Sequence, residues 1–532
     1  MPKKSLFFEK ILTCANGCVI ISTYRFYKEK KRMTKRASGI LMHISSLPGR
    51  FGIGSFGKEA FEFVDFLKET KQTYWQILPL TTTSFGDSPY QSFSAIAGNT
   101  HFIDLELLAK DGYLQEADYA AVDFGSNPES VDYAQVFQAR RPLLEKAVQA
   151  FVSTEEGLRQ LAEFEATASW LNDFAEFMAI KEHFDHKALQ EWDDRAIVKR
   201  EEAALLHYRK LLAKGITYHK VCQYFFYQQW LALKTYANQN GIAIIGDMPI
   251  YVSADSVEVW TMPELFKVDA DKKPIYIAGV PADGFSEDGQ LWGNPIYNWE
   301  SHEQTGFAWW IHRIKESFKL YDKLRIDHFK GFSDFWEIPG GDVTAKNGHW
   351  ESAPGIALFT AVREALGDLP IIAENLGYID EKAEQLLAST GFPGMKILEF
   401  GLFDVTSQSF DLPHHYDHNC IVYTGTHDNE VVNGWYEHLS AEQVEFVNHY
   451  IHKTADESIT KAMLRTIFAT VCDTAILCMQ DLLDKSADSR MNMPNTVGGN
   501  WQWRMLEDDI KAEHKAYLIH LTELYGRANN HH

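Results

Sequence analysis

Three short stretches set a carboxyl group at the end of an apolar run. In Leu324-Arg-Ile-Asp-His-Phe329 an aspartate closes the run, with Arg325 two residues before it. Strand side chains alternate with a period of two, so Arg325 and Asp327 share a face. A neighbouring guanidinium favours the ionised carboxylate, and a fixed, ionised carboxylate can attack an anomeric carbon. The same spacing also fits a structural Arg–Asp pair at the rim of a sheet. In Pro370-Ile-Ile-Ala-Glu374-Asn-Leu-Gly377 the glutamate follows an apolar run. Burial there would raise its pKa and keep the proton on, which suits a general acid. Gly425-Thr-His427-Asp428-Asn429 puts a third carboxyl beside a histidine. Each of the three carboxyls could instead cap a following helix. Their combination is what points to chemistry: the intervals are about fifty residues, one or two βα units each. Retaining glycoside chemistry needs two carboxyls about 5–5.5 Å apart, a distance that neighbouring strands can deliver.

Ring and amide side chains gather in two other stretches. Ser88-Pro-Tyr90-Gln-Ser92 and Gln290-Leu-Trp292-Gly-Asn294-Pro295 mix flat apolar surfaces with hydrogen-bonding groups. A sugar ring calls for both, a platform for its C–H face and partners for its hydroxyls. Aromatic packing of loops is the plainer reading. His414-His-Tyr-Asp-His418 and His183-x-x-His186 hold metal-binding atoms, but neither has the helical His pairing of a metalloprotease within reach of the strand-end carboxyls. Both read as solvated or structural.

The elements that must position these groups are short buried strands. Apolar runs bounded by turn residues recur at Gly39–Ile44, Tyr74–Leu78, Ile242–Ile245, Lys323–Ile326, Pro370–Ala373, Met395–Leu398 and Cys420–Tyr423. Helical periodicity lies between several of them, as at Phe56–Thr70 and Ala357–Leu366. Alternating strands and helices indicate an α/β class. Polar residues at successive strand ends, Asp247, Asp327-His328, Glu374-Asn375 and His427-Asp428, favour a (β/α)8 barrel, whose βα loops build the site. A doubly wound sheet would also place ligands at strand ends, but no Gly-rich phosphate loop is evident. Residues 111–240 read as an inserted helical subdomain, with patterns such as Leu161–Met178 and Leu205–Ala213. Residues 251–298, rich in Pro, Gly, Asp and aromatics, read as a lid or binding loop bearing Trp260, Phe266, Phe285 and Trp292. No C-terminal β-sandwich is expected.

Composition narrows the partners. The 532 residues carry 51 Lys+Arg against 73 Asp+Glu, a net charge of −22, which repels nucleic acid and anionic lipid. Six scattered cysteines make no disulfide framework or zinc site, which fits a reducing, cytoplasmic setting. Aromatics reach 13%, more than a sugar site alone would use, so most are assigned to the core. Residues 1–32 reverse the charge, with eight Lys+Arg against two Asp+Glu. The apolar stretch Ile11–Tyr24 is well short of the ~20 residues that span a bilayer. A basic extension that is not native, with translation starting at Met33, is preferred over a genuine tail; Lys28-Glu-Lys-Lys-Arg32 requires purine-rich codons that could overlie a ribosome-binding site.

From Ser38-Gly-Ile-Leu-Met-His-Ile-Ser-Ser-Leu-Pro48 to Gly499-Asn-Trp-Gln-Trp-Arg504 the chain resembles the amylomaltases, the 4-α-glucanotransferases also called disproportionating enzymes. Asp87–Gln91, Gly246–Tyr251, Gly289–Pro295, Arg325–Phe329, Ala373–Gly377 and Thr426–Asn429 match in order. The resemblance implies a barrel with insertions and no requirement for metal or cofactor. It implies Asp327 as nucleophile, Glu374 as acid/base and Asp428 as the carboxylate that orients sugar hydroxyls. It further implies sugar contacts at Tyr90, Asp247, Trp292, Asn294, Arg325 and His427; Ser88, Gln290 and His328, in the same motifs, are candidate contacts beside them. Pro281-Ala-Asp-Gly284 departs from the family pattern, in which a second proline and a bulkier residue are expected. The expected activity is retaining transfer between α-1,4-glucans; the rivals are an amylase-like hydrolase, a catalytically dead glucan-binding protein and a metal-dependent hydrolase.

Overall fold

Eight short, buried strands form one parallel sheet: β1 Ala37–Leu41, β2 Tyr74–Gln76, β3 Ala243–Met248, β4 Lys323–Ile326, β5 Ile371–Ala373, β6 Gly394–Ile397, β7 Cys420–Tyr423 and β8 Thr474–Cys478. The computed structural model describes residues 36–529 apart from 84, 283–286 and 378–379, together with the antiparallel pair Leu12–Thr13 and Val19–Ile20 in a separate N-terminal unit. The rest of the basic extension, including the choice of start at Met33, lies outside the described residues. So do Cys14, Cys18, Phe285 and half of the Pro281–Gly284 departure.

The spatial order β5-β4-β3-β2-β1-β8-β7-β6 follows the chain, with β1 beside β8. Between β5 and β6 the Ala373 N–H donates to the Pro393 carbonyl at 3.0 Å. The Asn375 side-chain oxygen accepts the Met395 N–H at 2.7 Å. These two bonds bring the sheet round into a barrel. Strands buried on both faces can be continuous apolar runs, and this is why seven of the eight were legible. The eighth, Thr474–Cys478, does not stand out in sequence, because its apolar run passes without a break into the helix Met479–Leu482.

Helices follow or precede every strand, from Lys58–Glu69 after β1 to Ala512–Leu524 after β8. The helix Gly355–Leu366 buries Leu358, Phe359 and Val362. From Leu105 the excursion between β2 and β3 carries a series of helices joined by turns and coil, and ends in the 27-residue helix Ala213–Gln239. The Leu161–Met178 pattern is divided between Glu155–Thr167 and Leu171–His183, because Ala168 leaves helical geometry at φ −111°, ψ 76°.

Beyond β3 and β4 the chain builds a second, four-stranded antiparallel sheet from Tyr276–Val280, Gln290–Pro295, Asp334–Pro339 and His349–Ser352. Trp260 and Phe266, grouped above with the lid, are buried. The Trp260 indole donates to the Ile197 carbonyl at 2.9 Å, and Phe266 packs on Tyr297. Both fasten the segment to its surroundings, while Trp292 remains partly exposed. Trp75, Trp192, Trp230 and Trp310 are likewise fully buried, so much of the aromatic excess serves the core.

Candidate active site

The strand ends converge on one guanidinium. Asp247 and Arg325 are register partners on β3 and β4, and Arg325 Nη1 lies 2.7 Å from both Asp247 oxygens. The same nitrogen is 3.1 Å from Asp327, two residues along the strand, so the shared face read from the spacing is real. Gly246 makes room for this layer. A Cβ there would meet the Tyr321 ring at 2.1 Å, so the backbone of β3 can lie this close to Tyr321 only without one.

Glu374 comes from the neighbouring strand at the same level. Ala373 is registered with Ile326, and the Glu374 N–H continues the ladder to the Ile326 carbonyl at 3.0 Å. Glu374 and Asp327 therefore leave adjacent strands one residue beyond a paired position, about one strand spacing of 4.8 Å apart at the backbone. The Glu374 carboxyl accepts the His328 N–H at 2.8 Å and the Leu376 N–H at 2.7 Å. His328 can aim its N–H this way because it is left-handed, with φ 47° and ψ 54°. Its ring stands edge-on to Trp292, 4.9 Å between centroids.

Asp428 enters from the loop after β7. Its oxygens meet His427 Nε2 at 3.2 Å and the Asn492 amide at 2.7 Å. Tyr90 bridges the two sides of the site: its hydroxyl donates to Asp247 at 2.8 Å and lies 2.8 Å from His427 Nε2. With that hydroxyl proton committed to Asp247, the phenol oxygen accepts from His427, which puts a hydrogen on Nε2. The Tyr90 and His427 rings stack with an interplanar angle of 12°.

The helix-cap alternative fails for all three carboxyls. The caps that follow are His328, Asp380 and Val431, which leaves Asp327, Glu374 and Asp428 free for other work. Their protonation differs. Burial, with Asp247, Glu374 and Asp428 nearby, pushes Asp327 up to about 7 against the pull of Arg325. The arginine thus does less for Asp327 than the spacing alone promised, because Asp247 holds the same Nη1 more closely. Burial also raises Glu374, against Arg325 and the two backbone donors. Asp428 falls well below the usual carboxylate range: burial opposes its ionisation, but His427, Asn492 and Arg325 outweigh it. A cluster with one depressed and two elevated carboxyls has the division of labour that acid, base and nucleophile chemistry needs.

The second group of expected contacts forms one wall. The Gln91 amide donates to the Trp292 carbonyl at 3.2 Å and to the Asn294 side chain at 3.0 Å, and the Trp292 indole donates to Gln290 at 3.1 Å. The loop bearing Tyr90 is thereby tied to the strand bearing Trp292. The Ser88 hydroxyl accepts the Tyr90 N–H at 3.2 Å and so shapes its own turn. The local motifs assign no role to Asn492 or to Trp501, whose ring lies 5.7 Å from that of Tyr90. Both belong to a late loop, and only the Gly499–Arg504 motif pointed toward it.

The histidine-rich stretches stay outside. His414 contacts the Tyr450 hydroxyl at 2.7 Å and the Ser407 carbonyl, and His183 packs on Phe184 and Tyr208. Among the described residues, the one group close enough to hold a metal is Glu337, His349 and Glu351 on the antiparallel sheet. No described helix is long and apolar enough to cross a membrane.

Comparison with known proteins places the chain as a whole. The profile described as 4-alpha-glucanotransferase matches residues 42–509. The 4-alpha-glucanotransferase of Streptococcus pneumoniae serotype 4 is 54% identical over 93% of this chain and 98% of its own. That of Clostridium butyricum is 44% identical over 91% of this chain and 100% of its own. Among solved structures, the amylomaltase of Streptococcus agalactiae in complex with acarbose superposes with a TM-score of 0.92 at 64% identity, covering 93% of this chain and all of that one. The Corynebacterium glutamicum amylomaltase, 17% identical, shares the fold with a TM-score of 0.75 over 96% of this chain and 78% of its own. A (β/α)8 barrel with this profile along most of its length belongs to the 4-alpha-glucanotransferase family.

Proposed function

We propose that this chain transfers α-1,4-glucan segments from a donor maltodextrin to the 4-hydroxyl of an acceptor glucan or glucose, with retention at the anomeric carbon. The observation that carries the reading is the departure of Asp327 and Glu374 from adjacent parallel strands at one level, the arrangement a double displacement requires. In the first half, an Asp327 oxygen bonds to C1 as the C1–O4 bond breaks, and Glu374 gives its proton to the leaving O4. In the second, Glu374 removes the proton from an acceptor 4-hydroxyl, whose oxygen displaces Asp327 from C1. Asp428, held ionised, accepts hydrogen bonds from sugar hydroxyls and stabilises positive charge developing on the ring. Arg325, His427, Tyr90 and Asp247 frame the donor sugar; Trp292, Gln290, Asn294, His328 and Ser88 line or shape the groove.

Transfer prevails over hydrolysis when water is kept from the covalent intermediate. The segment 251–298 is the proposed cover, and its Trp292 face and the Gln91 bridge support that role. The substrates proposed are neutral maltooligosaccharides in the cytoplasm, with no metal or cofactor in the reaction. Incubation with maltotriose tests this. Transfer yields glucose and longer chains at a constant number of reducing ends; a steady rise in reducing ends would replace the reading with hydrolysis.

A further inference from the structure

Two buried thiols touch at the end of the barrel opposite the carboxyl cluster. Cys420 opens β7, and Cys472 lies two residues before β8. Their Sγ atoms are 2.7 Å apart, so a disulfide bond of about 2.05 Å needs a displacement of less than an ångström. The backbone already holds them there. Ile421 is registered with Thr474, and the Asp473 N–H donates to the His418 carbonyl at 2.8 Å. Arginines crowd this rim. Arg527 donates to the carbonyl of Cys472 at 3.1 Å, and Arg36 to that of Thr470 at 2.9 Å. The hydrogen bond shared with Cys420, together with the nearby Arg527 charge, favours the thiolate of Cys472 against its burial. The other described cysteines, Cys222 and Cys478, are buried singly.

We propose that Cys420 and Cys472 form a redox modification site, converted reversibly by a peroxide into a disulfide that staples β7 to β8. The Cys472 thiolate attacks one peroxide oxygen; the O–O bond breaks, and the departing hydroxide takes a proton to leave as water. Cys472 is then a sulfenic acid. The Cys420 sulfur attacks the Cys472 sulfur, the S–S bond forms and the S–O bond breaks. The released oxygen leaves as a second water carrying the Cys420 proton. Two thiols have lost two electrons, and one peroxide has become two waters. A dithiol reductant restores both thiols by exchange and is itself oxidised to a disulfide.

Peptide mapping tests the site. The reduced full-length chain is incubated with hydrogen peroxide, alkylated in denaturant, digested without reduction and examined by mass spectrometry. The expected product is a peptide joining Cys420 to Cys472, lighter by two hydrogens than its parts and lost on adding dithiothreitol. Reading the peptide rather than the intact mass separates this pair from Cys14 and Cys18. A second arm refolds the urea-unfolded, reduced chain in a glutathione redox buffer, where both thiols are reachable before they are buried. In each arm the Cys420–Cys472 link should exceed its yield from chain oxidised in urea by at least about tenfold, since the fold holds the partners in contact. Failure to exceed that unfolded yield in either arm overturns the proposal. So does sulfinic acid at either residue of the native chain without the link. Since the staple lies at the far end of β7 from Asp428, transfer activity should stay within about twofold while the thermal midpoint rises; a lowered midpoint would refute the stapling.

Discussion

Asp327 is held in a place where its charge is costly, and removing the charge should stabilise the fold. In an open chain an aspartate titrates near 3.8; in the site burial and three neighbouring carboxyls push it up to about 7. Between those values the folded chain holds a proton that the unfolded chain has released, so stability contributed at low pH is lost as pH rises toward 7. A gap of roughly 3 pH units corresponds to about 4 kcal/mol. Asp327→Asn removes that dependence but also weakens a charged contact with Arg325, leaving an expected gain on the order of 2–4 kcal/mol at pH 8 that fades toward pH 4. Urea unfolding of both proteins at pH 5 and pH 8, in parallel with the maltotriose assay, reads the effect. The variant should be inactive and, relative to the parent, more resistant to urea at pH 8 than at pH 5. Parent activity should fall about tenfold per pH unit below 7 on its acid limb, as the nucleophile becomes protonated. If the stability difference between variant and parent is the same at both pH values, the strained charge is not there and the electrostatic account of the site is wrong.

Asn492→Ala removes the 2.7 Å amide bond to Asp428; a hydrogen bond to a charged group is worth about 1.5–3 kcal/mol, so kcat should drop roughly ten- to a hundredfold with little change in melting temperature. Asn375→Ala leaves the Met395 N–H without its acceptor at the β5–β6 seam; calorimetry should show a loss of about 1–3 kcal/mol. Gly246→Ala forces a methyl into the Tyr321 ring; an overpacking loss of at least about 1–3 kcal/mol, with reduced activity through Asp247, is expected from unfolding and transfer assays on the same preparation.

Much of the barrel could be read because its strands are buried on both sides and so stand out as apolar runs between turns. Where an apolar run continues into the next element, as Thr474–Cys478 does into Met479, composition carries no boundary. A broken helix is equally silent: nothing in Ala168 announces that Leu161–Met178 will part there. For the site, the chemistry-bearing side chains sit at strand ends and were visible as local motifs. Their mutual arrangement was not, since the Arg325–Asp247 pair spans 78 residues of sequence and the Asn492–Asp428 bond 64. Local spacing therefore ties the arginine to Asp327 alone and carries no sign of Asn492. Trp260 lies buried in the short helix Val257–Thr261 of the candidate lid segment; in sequence, an aromatic that faces the core looks the same as one that faces a ligand.

The sharing of Arg325 gives the site an electric character of its own. Four carboxyl groups, those of Asp247, Asp327, Glu374 and Asp428, are gathered around a single guanidinium. Positive charge spreading over a sugar ring at the transition state enters a field that favours it, and an uncharged ring approaches without opposition. A ring carrying a phosphate or carboxylate meets that same field as repulsion. Charge therefore sorts the sugars that reach Asp327 before the fit of their hydroxyls is tested.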